Sequence, residues 1–206
     1  MTLLMVPLVE LPAFASVSWP MGALLPLIKE ILIGLFIGLT VRMVLMATSV
    51  AGSTIANQMG LGLAQAVDPT QGIQGALFAN FLGVLALTLV FVNDLHHLVI
   101  AAIHDSYILF EPGTIPPTNE MAMAAVMSMA EAFTLGVRMS APFLVFGLIF
   151  YVGIGVLSRL MPQVQIFFIA MPASILLGLV LLALLLTTMM TVYHEYLSGL
   201  LGRFLA

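Results

Sequence analysis

Cysteine is absent from all 206 residues, which removes disulfides, thiol catalysis and cysteine-ligated metals together and leaves the redox compartment open. Charge is scarce as well. Five Lys and Arg against nine Asp and Glu give a formal net charge of -4, so no basic cluster exists to neutralise phosphates, and nucleic acid is excluded as a partner. No positively charged region precedes the apolar residues of MTLLMVPLVELP, which argues against a cleaved signal peptide. Alternation of apolar and polar residues in roughly ten-residue segments, the mark of a membrane β-barrel, is also missing. The five basic residues, Lys29, Arg42, Arg138, Arg159 and Arg203, are spread one by one, so no membrane orientation can be read from them.

What fills the chain instead is apolar sequence: 62% of it is hydrophobic and its mean hydropathy is +1.21. Uncharged runs over 43–67, 69–93, 139–158 and 160–194 each approach or exceed the roughly 20 residues a helix needs to cross hydrocarbon. The expected class is therefore all-α: one domain over residues 1–206 built of membrane-associated helical hairpins. Residues 1–20, with Pro7, Pro12 and Pro20, read as a lead-in. Residues 21–67 predict two helices or one long bent one. Asp68, Pro69 and Gln71 form a helix-start signal for a segment running to about 92. Residues 93–119 are the most polar part and end in a Gly and Pro cluster, which suggests an ordered turn or a functional loop. A further helix should begin at Thr118 or Asn119 and continue past Pro142 to about 158. Between Pro162 and Pro172 a ten-residue corner is expected, with Pro172 starting the last helix.

Several patterns imply that these helices face protein. Thr48, Gly52, Ala56, Gly60 and Ala64 recur every four residues, a stripe of small side chains suited to close contact with another helix, and we read it as a subunit-packing face. Gly34 and Gly38 add a second, weaker pair. Gln58, with Asn57 and Gln65, places amides beside the stripe, and Glu30, Arg42, Glu131 and Arg138 place charges within apolar surroundings. Either those charges snorkel to water, or they are buried against neighbouring subunits. In the corner, Pro162 removes a backbone donor, and Arg159, Gln163 and Gln165 supply donors to the freed carbonyls or to a neighbour. Phe167, Phe168 and Ile169 offer an apolar contact face there.

Catalytic patterns are sparse. Asp94, His96, His97, His104 and Asp105 form one cluster in which Asp94, His97 and His104 share a helical face. A metal or proton-relay role is conceivable, but the spacing is not HExxH, and a solvated helix end is the preferred reading. No cofactor and no catalytic residue is assigned. Serines and the Met-rich MAMAAVMSMA lack a paired base or soft-metal spacing.

Three stretches, KEILIGLFIGL at 29–39, GSTIANQMGLGLAQAVDPTQG at 52–72 and SRLMPQVQIFFIAMPASILLG at 158–178, resemble in order and spacing the FliR family of type III protein-export gates, flagellar and virulence-associated. The resemblance implies a non-enzymatic subunit of the bacterial inner membrane and flagellar basal body. It implies assembly with FliP and FliQ, with FlhB and FlhA nearby, into a helical pore for unfolded polypeptides. It also implies that part of the assembly stands above the membrane. A segment upstream of residue 1 is expected from the same comparison. By position, Tyr107, Ile108, Leu109 and Phe110 resemble the family's pore plug, with an ordinary interfacial loop as the other reading. From the residues alone, a small secondary transporter with broken helices remains the alternative function.

Overall fold

The computed structural model describes residues 21–61, 73–109, 118–161 and 166–202, and these are helical with no strand among them. Among the described residues five helices follow in order: α1 (Met21–Gln58), α2 (Ile73–Val92), α3 (Leu95–Leu109), α4 (Thr118–Leu160) and α5 (Ile166–Gly202). Helix is the natural state for such sequence, because in hydrocarbon only a helix or a closed barrel satisfies every backbone polar group. Among the described residues, α1, α4 and α5 are each long and apolar enough to cross a membrane. The pair α2 and α3 gives a fourth candidate, bent by 76° at its junction.

Helix α1 is the centre of the fold, packed most extensively against α4 on one side and α2 on the other. Its buried positions begin as one narrow row, Ile37, Thr40, Val44 and Ala47, and widen to two rows through Thr48, Ala51, Ile55 and Met59. The widening marks where both neighbours close on it. The buried hydroxyls cost little here, since Thr40 donates to the Phe36 carbonyl at 2.9 Å, Thr48 to Leu45 at 2.7 Å and Ser140 to Val137 at 3.1 Å. Each is satisfied within its own turn, so none of these three hydroxyls is left unpaired.

The ends of the helices have local causes. At the end of α1 the chain turns through Gly60, whose φ of +82° is the left-handed conformation that closes many helices and that glycine adopts without strain. Asp94 does the same after α2, with φ of +57°, one of the few side chains found there with any frequency. The Asp94 carbonyl then accepts from the His97 amide at 3.0 Å and opens α3. Glu120 in the first turn of α4 and Arg159 in its last match the helix dipole at both ends.

Residues 21–58 form one long helix, one of the two forms expected within 21–67. Two other sequence expectations need adjusting. The polar stretch after 93 is largely α3, because Leu95, Ala102 and Ser106 are buried on one face while histidines and Asp105 occupy the others. Pro172 does not start α5; it is the seventh residue of that helix. There it forfeits the bond to the carbonyl of Phe168 and its ring crowds that carbonyl, yet the helix runs on through it. The Asp68, Pro69 and Gln71 start signal lies outside the described residues.

Candidate functional site

The small-residue stripe is used, but by the chain itself. A Cβ added at Gly52 would fall on the backbone of Ala79 and Phe78 in α2, so the two helices touch backbone to backbone. One turn earlier Thr48 lies opposite Gly83, whose added Cβ would sit 3.8 Å from the Thr48 hydroxyl. Ala56 and Gly60 are buried as well, whereas Ala64 lies outside the described residues. Gly52 thus has its close neighbour in α2, and Gly60 lies beside Tyr151 of α4 and Ser174 of α5, all within this chain. Contact between apolar helices in lipid rests on such close approach.

Glycines on the partner helices complete the seam. At Gly136 of α4 an added Cβ would meet the Ala47 carbonyl and the Val50 side chain at 2.8 Å, at Gly147 it would fall on the Gln58 amide, and at Gly178 of α5 it would reach Met59 at 2.5 Å. Gln58 thus lies half-buried against α4. The end of α1 is fixed from α5 as well, where buried Ser174 donates to the Met59 carbonyl at 2.9 Å, one of the carbonyls a helix end leaves without an internal partner. Gly60, Tyr151, Ser174 and Met171 enclose a small cavity of about 110 Å³ there.

The other glycine pair behaves in the opposite way. Gly34 and Gly38 have nothing within 4 Å of an added Cβ. With Glu30, Val41, Ile103 and Ser106 they line an open groove of about 320 Å³ between α1 and α3. Glu30 is half-buried at its end, and Glu131 is half-buried on α4, where Tyr196 of α5 donates to its carboxylate at 3.0 Å. Arg42 and Arg138 are exposed on the isolated chain. Any burial of those two has to come from a neighbouring molecule.

Arg159 projects from the last turn of α4, exposed, and Phe168 and Ile169 are exposed at the start of α5. Pro162, Gln163 and Gln165 lie outside the described residues. So does Phe110, while the backbone of Tyr107, Ile108 and Leu109 continues α3 to its end. The histidine cluster is regrouped: His104 sits 2.9 Å from Asp105, and Asp94, His96 and His97 gather at the corner between α2 and α3. His97 and His104 lie in the same helix, but seven residues at 1.5 Å each set them about 10 Å apart along its axis, so His104 stands outside the group that Asp94 and His97 form.

Residues 1–200 match the family described as Bacterial export proteins, family 1. Among curated relatives, the flagellar biosynthetic protein FliR of Caulobacter vibrioides is 41% identical over 99% of this chain and 81% of its own length. FliR of Pectobacterium carotovorum is 31% identical over 90% of this chain and 70% of its own, and FliR of Bacillus subtilis 28% over 82% and 67%. With the family pattern sustained across nearly every residue described above, the chain belongs to the bacterial export proteins of family 1.

Proposed function

We propose that this protein is a structural and gating subunit of a flagellar type III export gate in the bacterial inner membrane, at the flagellar basal body. In this reading it assembles with FliP and FliQ homologues, beside those of FlhB and FlhA, into the pore that unfolded flagellar proteins cross. The names of its relatives support the flagellar branch. One observation supports assembly above all. Helix α4 exposes large apolar side chains from Met123 to Leu160, a span of about 55 Å at 1.5 Å per residue. Hydrocarbon is only about 30 Å thick, and even a 40° tilt raises the covered length to about 39 Å. The remainder, about three turns, needs protein against it. The uncharged stretch between Arg138 and Arg159 fits the bilayer, so the excess is the Met-rich first half of α4.

An in-frame deletion in the organism that carries this chain tests the reading. It should abolish motility and export of filament protein, the intact gene should restore both, and a tagged copy should bring down FliP and FliQ homologues. A motile deletion strain sinks the proposal. For gating, we assign Tyr107 to Phe110 as the plug: bulky apolar groups at a pore close it by packing and dewetting, and substrate displaces them. Deleting residues 107–111 should make cells bearing the assembled gate leaky to small ions. Unchanged permeability removes the plug assignment and leaves the subunit assignment standing.

A further inference from the structure

The corner between α2 and α3 gathers three metal-ligating side chains. A carboxylate oxygen of Asp94 and one ring nitrogen each of His96 and His97 lie within 4.8 Å of one another, and among the described residues no other group of three does so. Backbone geometry produces the cluster. Asp94 in the left-handed conformation ends one helix and caps the next, which turns its side chain toward residues two and three positions on. His97 Nδ1 stands 3.6 Å from Asp94 Oδ1, longer than a hydrogen bond. His96 is held by rings on both sides, Phe91 at 5.3 Å and His97 at 4.0 Å between centroids, and its Nδ1 is buried with no hydrogen-bond partner. A buried nitrogen without a partner is costly, and a cation bound through it would supply one.

We propose that Asp94, His96 and His97 bind a first-row divalent cation of the zinc class, which pins the 76° corner between α2 and α3. Two imidazoles and a carboxylate suit Zn²⁺, Co²⁺ or Ni²⁺ and suit Mg²⁺ or Ca²⁺ poorly. Around such an ion ligand atoms stand about 3.4 Å apart, given bonds of about 2.1 Å. The closure required is small, and it falls on Asp94 and His97, whose side chains are 75% and 66% exposed and free to change rotamer. His96 is the fixed ligand. Three protein ligands leave a fourth position open to water, as zinc sites with incomplete protein shells do. The site goes beyond the export reading and does not depend on it.

The test is Co²⁺ titration of the full chain in detergent, followed by its visible ligand-field absorption, with Zn²⁺-dependent thermal stability as a second readout. One Co²⁺ per chain is expected, displaced by Zn²⁺. Asp94→Asn keeps a residue that tolerates the left-handed backbone, and it should weaken binding at least tenfold, as should His97→Ala. Both variants should melt with the wild type in EDTA and lose the Zn²⁺-induced rise. His104→Ala, at the separate Asp105 pair, should bind as the wild type does. Binding unchanged in His97→Ala, equal loss in His104→Ala, or no Co²⁺ uptake below about 1 mM each overturns the site.

Discussion

Gly52→Leu will prevent this chain from accumulating as a folded protein, and Gly52→Ala will already lower its melting temperature in detergent by several degrees. The added Cβ has no space to enter, because the atoms it meets are the backbone of Ala79 and Phe78 rather than the end of a flexible side chain. Relief requires α1 and α2 to separate along their whole seam, where Ile55, Leu82 and Ala86 are buried. Overpacking of this kind costs about 1–3 kcal/mol when neighbours can adjust, and backbone adjusts least. Against it, alanine gains only about 0.5–1 kcal/mol over glycine as a helix former. Gly34→Ala and Gly38→Ala are the internal controls, since nothing lies within 4 Å of either added Cβ; there the helix-forming gain stands alone and the melting point should hold or rise. A Gly52→Ala chain that melts with the wild type would show that the two helices do not meet as described.

The stripe that Gly52 belongs to was legible in the sequence, because a four-residue period of small side chains survives any reading frame. Its partner was not legible, since periodicity gives a face and no address; the contact with α2 appears only in three dimensions. Gly136 and Gly147 went unread although their spacing of eleven, three helical turns, puts them on one face of α4. Helix α3 was hidden by its histidines and Asp105, which sit off the buried face. Its inward positions Leu95, Leu98, Ala102 and Ser106 keep helical spacing all the same. Pro172 misled for a simple reason: proline is read as a start, yet this helix runs through it. The pairing of Tyr196 with Glu131 joins residues 65 apart, and no local rule anticipates it. The all-α class and the membrane-length helices came from composition alone, which is what a solvent without hydrogen bonds dictates.

The first half of α4 carries the second large effect, because Met123 and Met127, one turn apart, are 62% and 60% exposed on a segment longer than the bilayer can cover. Replacing both with glutamate should leave the isolated chain's stability in detergent nearly unchanged, within about 0.5 kcal/mol for each exposed site. Assembly should fail. If a neighbouring subunit covers this face, two charges enter a dry interface without partners, and each costs several kcal/mol. FliP and FliQ homologues should then no longer copurify and motility should be lost, while Met123→Leu with Met127→Leu retains both. The surroundings of the helix set the outcome in three separable ways. Water on this face predicts a normal complex from the glutamate variant. Lipid predicts a chain that fails to accumulate in the membrane at all, since each charge in hydrocarbon costs about 2.5–3.5 kcal/mol on the insertion scale. Only a protein partner predicts a chain that accumulates, melts normally and assembles with nothing, and that is the result expected from a helix whose apolar face outruns its membrane by three turns.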